Sequence, residues 1–128
     1  MRRTAAVLPG SVVLLSSALV PRAAAAPAEI VAPNARAAAE VDSLGRLVRQ
    51  KNVTDSIPSG KGVYCVIIDP DAGIDLSTAL ILATGYPATN VTTQRQPTQA
   101  CDNRQDAVTV VTLVDGRPEY SGFTLAVL

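Results

Sequence analysis

Cys65 and Cys101 are the only cysteines of this 128-residue chain, and a bond between them would constrain its fold more than any other feature. The chain starts with Arg2 and Arg3, continues with an apolar stretch and reaches a run of alanines, which predicts a secretory signal peptide over residues 1–26. An exported chain meets an oxidising compartment, where two cysteines have a single possible pairing. We therefore expect a structural disulfide that stabilises the fold by roughly 4 kcal/mol. Free or metal-binding thiols are the alternative.

The predicted signal peptide leaves about 100 residues, which is the size of one small domain. Trp is absent and aromatic residues make up 3% of the chain, so the core must come from Val, Ile, Leu and Ala. A domain of this size is marginally stable without an additional cross-link. The apolar stretch of the signal is shorter than the ~20 residues that span a bilayer, although a retained membrane anchor is the alternative to a cleaved signal.

From residue 45 onward the chain alternates β-rich runs with turn residues. The runs, which are dominated by Val, Ile and Thr, cover residues 45–53, 62–69, 79–86, 88–94, 107–114 and 123–127. Short strands at this spacing predict an all-β sandwich of about six strands over residues 44–128. The alanine- and proline-rich residues 27–43 before it predict a linker or a short helix.

Three runs are apolar on both faces instead of alternating, namely residues 63–68, 79–83 and 110–114. A sandwich strand normally turns one face to water, so a continuous apolar run implies that its second face is also covered. The N-terminal segment or a second copy of the chain would supply that cover. The second alternative makes a homo-oligomer one of the expected assemblies.

Removal of the signal peptide leaves an acidic chain. The full chain holds 11 basic and 11 acidic residues, and three of the basic ones, Arg2, Arg3 and Arg22, lie in the signal. The remainder therefore carries a net charge of −3 and no polybasic segment. This charge argues against a nucleic-acid partner and against membrane binding after signal cleavage.

Asp69, Asp71 and Asp75 lie in the run DPDAGID, directly after an apolar strand. Alternating carboxylates with a glycine at the turn are typical of calcium-binding loops. Here, however, Pro70 restricts the backbone, Gly73 comes one position early and the distal Glu is missing. The pattern favours a solvated turn, capped in part by Asp75, and the three aspartates are kept only as metal candidates.

The chain contains no histidine, which excludes Ser-His-Asp and Cys-His catalysis. A pair of carboxylates would suffice for a glycosidase, and the acids that could supply it are Asp69, Asp71, Asp102, Asp106 and Glu119. However, the aromatic-poor chain lacks the usual platform for stacking sugars. We therefore assign no catalytic residue and no cofactor, and we expect the protein not to be an enzyme.

The polar run 90–99 lies inside the predicted disulfide loop, and loops on a rigid sandwich commonly carry binding residues. Arg95 and Gln96, together with Tyr86, are the candidates for ligand contact. An ordinary surface connection is the alternative. Asn52 and Asn90 each begin an N-glycosylation motif, a short pattern that also arises by chance in a Thr-rich chain.

The chain from Gly45 onward carries a G-V-Y-C-V strand at residues 62–66, an A-G-I-D turn at 72–75 and a second cysteine before a V-x-V-x-T strand at 108–112. With a final strand that begins at Phe123, these features resemble a family of small exported domains of high-GC Gram-positive bacteria. The resemblance implies a secreted β domain. It carries over no catalytic or binding residue.

The first functional hypothesis is a secreted, non-enzymatic β-sandwich that acts by surface recognition or self-association, with an unidentified extracellular or cell-surface ligand. It rests on the predicted signal, the disulfide, the absence of histidine and the strands that are apolar on both faces. A small extracellular carboxylate-dependent hydrolase is the second hypothesis. A calcium-stabilised extracellular module is the third.

Overall fold

The computed structural model describes residues 26–95 and 97–128, which form two β-sheets packed face to face around one core. The strands are β1 (Ala28–Glu29), β2 (Ala37–Val41), β3 (Leu47–Lys51), β4 (Val53–Gly60), β5 (Val63–Ile68), β6 (Ile81–Gly85), β7 (Thr89–Gln94), β8 (Ala107–Val114), β9 (Arg117–Pro118) and β10 (Phe123–Val127). Sheet A has the order β1-β3-β2-β10-β6, and sheet B has the order β4-β5-β8-β7 with β9 paired to β8. The predicted all-β sandwich is confirmed. The predicted signal peptide, apart from Ala26, lies outside the described residues.

Most predicted strands match observed ones. The predictions 107–114 and 123–127 coincide with β8 and β10, and three others extend one or two residues beyond the observed ends. The prediction 45–53 is wrong in its bounds, because the chain changes from sheet A to sheet B at Asn52. Asn52 has a φ of 51°, and its side chain donates a 2.7 Å hydrogen bond to the carbonyl of Arg36.

Strand β2 replaces part of the predicted linker or short helix over residues 27–43. It lies between β3 and β10 in sheet A and turns Ala37, Ala39 and Val41 into the core. Alanine favours a helix in isolation, but pairing and burial between two neighbouring strands override that preference. The prediction is therefore wrong over β2, and the sandwich starts before residue 44. No helix in the described part of the chain is long and apolar enough to cross a membrane.

Tyr64 is fully buried in the core between the two sheets. The centroid of its ring lies 5.2 Å from that of Phe123 on the opposite sheet. Its hydroxyl accepts a 3.1 Å hydrogen bond from the backbone N–H of Ser121 and donates one of 3.3 Å to the carbonyl of Ser43. One side chain of sheet B therefore holds the β2–β3 turn of sheet A and the segment that leads from β9 to β10.

The outer face of sheet B is covered by the segment that carries Cys101. Cys65 and Ile67 point away from the inter-sheet core and pack with Cys101 and Ala107 in a second apolar cluster. The predicted Cys65–Cys101 disulfide is present, with 5.5 Å between the Cα atoms. The cover of this face is thus the short 3₁₀ turn Gln99–Cys101, and neither the N-terminal segment nor a second copy is needed for it.

Within residues 26–95 and 97–128, no segment covers the outer face of the apolar run 79–83 in a comparable way. Ile81 and Ala83 pack against the core, whereas the side chains between and before them stay at the surface. Leu80 is 56% exposed and Leu82 is 51% exposed. This run is therefore apolar on both faces, but its outer face, which carries Leu80 and Leu82, remains exposed to solvent.

Replacement of both cysteines by alanine (C65A/C101A) is expected to lower the free energy of unfolding by about 4 kcal/mol, because the bond removes chain entropy from the unfolded state. Urea unfolding of a chain that starts at residue 27 measures the loss. Reduction of the wild type should produce a similar loss, and the reductant should leave the variant unchanged. A loss below about 1 kcal/mol would contradict a structural role for the bond.

The substitution Tyr64→Phe is expected to lower the free energy of unfolding by about 1–3 kcal/mol, since the buried N–H of Ser121 loses its acceptor. Thermal or urea unfolding checks this loss. Tyr120→Phe is the matched control, because Tyr120 is exposed and lies in the same connecting segment. If the two variants were equally stable, the hydroxyl of Tyr64 would not hold the connecting segments.

Candidate functional site

One side of the sandwich contains no charged residue in its strands. The nineteen residues from Leu76 to Gln94 carry no Asp, Glu, Lys or Arg. They fold into β6, a turn and β7, which are the edge strands of sheet A and sheet B. Both sheets therefore end on the same uncharged side, formed by Ile81–Gly85 and Thr89–Gln94, which we call the β6/β7 side.

The turn between the two edge strands is tight. The amide of Thr89 donates a 3.0 Å hydrogen bond to the carbonyl of Tyr86. A Cβ atom at Gly85 would lie 2.7 Å from a methyl group of Val91. Glycine at this position therefore lets the end of β6 approach β7 closely, and the two edges meet at one corner of the sandwich.

Exposed leucines lie on the outer face of sheet A, beside the free edge. Leu80, Leu82 and Leu128 expose between 41% and 56% of their surface, and we call them the leucine patch. The amide of Leu128 donates a 2.9 Å hydrogen bond to the carbonyl of Leu80, and Ala126 is paired with Leu82. Single exposed leucines are ordinary, but a contiguous group on one face indicates a contact surface.

Strand β6 lacks the features that usually protect a sheet edge, such as charges, proline, bulges and very short length. It pairs with β10 on one side, and no strand among the described residues pairs with its other side. The far edges of the two sheets differ. Strand β4 carries Asp55, Pro58 and two register shifts, and β1 has only two residues. The unprotected edge is therefore on the β6/β7 side.

The three ligand candidates do not form one site. Tyr86 follows β6, is 58% exposed and lies against the backbone of Gly122. Arg95 follows the opposite end of β7, about 20 Å away for a six-residue strand. Its guanidinium donates a 2.8 Å hydrogen bond to the carbonyl of Ala79. Gln96 lies outside the described residues.

Two of the three metal candidates, Asp69 and Asp75, cap local turns with their carboxylates. A carboxylate oxygen of Asp69 accepts a 2.9 Å hydrogen bond from the amide of Asp71, and this begins the 3₁₀ turn Pro70–Ala72. Asp75 accepts from both the amide and the hydroxyl of Ser77, at 3.0 and 2.6 Å. Those hydrogen bonds lower the pKa of Asp75. Residues 26–95 and 97–128 contain no group of three or more side chains that could hold a metal ion.

The candidate carboxylates for acid catalysis are dispersed. Asp106 forms a two-pronged ion pair with Arg104, with both contacts at 2.8 Å. Glu119 pairs with Lys61 at 3.2 Å. Glu119 lies beside Thr112 of β8, about 20 Å along that strand from Asp106. Asp106 and Glu119 therefore do not face each other across a cleft.

The pKa values that are displaced among the acids all move downward. The hydrogen bond from Arg104 lowers the pKa of Asp106. Burial acts to raise the pKa of Asp42, but the hydrogen bonds and charge of Arg46 outweigh it and leave that pKa lowered. A general acid at neutral pH needs the opposite displacement. These groups are therefore suited to ion pairs and caps.

The chemical motifs in the sequence do not indicate the β6/β7 side. The available signal was the absence of charge from Leu76 to Gln94 in a chain with 17% charged residues. This gap becomes meaningful when both strands are known to be sheet edges. The chain has no significant match among protein-family models, curated proteins or solved structures.

The stability of the protein is expected to fall on acidification, in part through Asp106. Its folded-state pKa is lowered, so the unfolded state binds more protons, and the contribution is present above the unfolded value of about 3.9. It is lost as the pH falls through the lowered folded-state pKa. Asp106→Asn should therefore be less stable than the wild type at pH 7, and the difference should shrink as the pH falls through the lowered folded-state pKa.

Urea unfolding across the pH range measures this convergence. Asp115→Asn is the control, because Asp115 is exposed in a turn where its φ of 51° suits asparagine equally. A constant difference between Asp106→Asn and the wild type at all pH values would contradict the ion-pair explanation.

Proposed function

We propose that this protein is an exported, non-enzymatic binding module that contacts another macromolecule at the cell exterior through its β6/β7 side. The observation that carries the proposal is the combination of an unprotected edge strand with the leucine patch beside it. Edge strands add extended partners through backbone hydrogen bonds, and adjacent apolar side chains supply affinity and selectivity.

Export is supported by two features. The signal pattern over residues 1–26 is one. The disulfide between Cys65 and Cys101 is the other, because such bonds persist mainly in oxidising compartments. The resemblance to small exported domains of high-GC Gram-positive bacteria agrees with this reading and remains an expectation.

A binding role also agrees with how the rest of the surface is built. Three of the five candidate acids, Asp69, Asp106 and Glu119, are engaged in a turn cap or in ion pairs. Two of the three calcium candidates, Asp69 and Asp75, accept hydrogen bonds from neighbouring amides and a hydroxyl. No specific contact favours the hydrolase or the calcium-stabilised module, so neither is proposed.

The substitution Leu82→Lys should weaken binding to the outer surface of intact cells of the encoding species roughly ten- to hundredfold, because a buried leucine contributes about 1.5–3 kcal/mol to a contact. Co-sedimentation of the chain without its signal measures the bound fraction. Leu82 is half exposed in the isolated chain, so the fold should tolerate the change.

Thr54→Lys is the matched control, because it adds the same charge at an exposed position of β4, on the opposite side of the sandwich. It should bind as the wild type does. If the wild type failed to bind cells, or if both variants lost binding equally, the proposal would be wrong.

A further inference from the structure

We infer that the partner of β6 is a second copy of the chain, joined by antiparallel pairing of β6 with β6 about a two-fold axis at Ala83. This inference rests on the proposed function and divides the β6/β7 side between two contacts: the second copy takes the free backbone edge of β6, and the leucine patch on the outer face of the joined sheet faces the cell-exterior partner. It joins the two copies of sheet A into one continuous sheet of ten strands.

The backbone shows which groups are free for this pairing. The carbonyl of Leu80 accepts from the amide of Leu128 on β10. Successive residues of an antiparallel strand direct their polar groups to opposite edges, so Leu82 and Thr84 also face β10. Ile81, Ala83 and Gly85 therefore direct their N–H and C=O groups to the free edge.

A two-fold axis at Ala83 satisfies all three of these residues. Ala83 then pairs with Ala83 of the second copy, and Ile81 pairs with Gly85 of the second copy. Each of these is a hydrogen-bonded antiparallel pair, and together they allow six backbone hydrogen bonds. The uncharged residues of β6 bring no like charges together.

The exposed side chains on the outer face are placed symmetrically about the same axis at Ala83. Leu80 and Tyr86 lie three residues before and after Ala83, and each exposes more than half of its surface in the isolated chain. Pairing about Ala83 sets Leu80 of one copy opposite Tyr86 of the other, and this happens twice. It also sets Leu82 opposite Thr84. Apolar–aromatic pairs across strands stabilise a sheet by roughly 0.2–1 kcal/mol each.

The other edges of the sandwich are less suited to a second copy. Pairing of β4 with itself would bring Asp55 near its own counterpart, and Pro58 lacks an N–H to donate. Strand β7 is uncharged, but its exposed side chains are Asn90, Thr92 and Gln94, which offer little apolar surface. Ile57 of β4 is also exposed, but it lies between Asp55 and Pro58. Among the described strands, β6 combines a free backbone edge with exposed apolar side chains and no charge or proline.

The oligomeric state tests the inference first. A strand-to-strand contact is small, so the dimer should be weak and should appear as the concentration rises from about 10 to 500 µM. Size-exclusion chromatography with light scattering on the chain without its signal should show a mass that increases from one copy towards two. A single-copy mass over the whole range would overturn the inference.

Ala83→Pro removes the N–H at the proposed axis. This N–H faces the free edge, so the pairing with β10 keeps its hydrogen bonds, and proline is tolerated at such positions of edge strands. The variant should stay folded by circular dichroism and remain a single copy at the highest concentration. A folded Ala83→Pro variant that still dimerised would overturn the inference.

A cysteine pair tests the register and does not depend on that variant. A mixture of Leu82→Cys and Thr84→Cys should form a cross-linked dimer under mild oxidation, whereas each variant alone should not. Both positions are exposed, and the native cysteines are already bonded to each other. Cross-linking of Leu82→Cys alone would place the axis at Leu82 and overturn the register about Ala83.

The outcomes separate the inference from the proposed function. A protein that binds cells but stays a single copy would overturn the second-copy partner and leave the binding module intact. A protein that dimerises through β6 but does not bind cells would support the inference and remove the proposed cell-surface contact.

Discussion

The disulfide between Cys65 and Cys101 is the constraint on which the rest of this structure depends. It holds a short 3₁₀ turn over the outer face of sheet B, where Ile67 and Ala107 would otherwise meet water. Strand β5 can therefore be apolar on both faces in a domain with few aromatic residues. The bond thus supplies a second small core as well as a cross-link, which helps a chain of this size to remain folded.

The outer face of sheet B is covered and that of sheet A is exposed at β6, and this difference locates the candidate site. Sheet B uses the disulfide-bonded segment as its cover. In the described part of the chain no such segment lies over β6 of sheet A, so Leu80 and Leu82 stay exposed beside a free backbone edge. The Tyr64–Phe123 contact holds the sheets together from within. The surface chemistry of β6 is therefore free to serve a contact, because the stability of the sandwich does not require those leucines to be buried.

The sequence allowed only part of this site to be predicted. The sequence makes Tyr86 a candidate for ligand contact but groups it with Arg95, which lies at the other end of β7. Proximity along the chain was misleading, because a strand carries its two ends about 20 Å apart. The spacing of Asp69, Asp71 and Asp75 is close to that of a calcium loop, yet the carboxylates of Asp69 and Asp75 cap turns. A gap in charge from Leu76 to Gln94 was the more useful signal, and it needed the sheet order to be interpreted.

The sequence by itself determined the β class, the pairing of the cysteines and the bounds of β8 and β10, because alternation, turn residues and a single cysteine pair are local or exhaustive signals. Only the tertiary structure decided that Ala37–Val41 is a strand, because backbone pairing with β3 and β10 holds this alanine-rich segment in an extended conformation. It also decided which segment covers sheet B and which strands stand at the edges. These features depend on pairings between distant parts of the chain, and no local pattern of side chains specifies them.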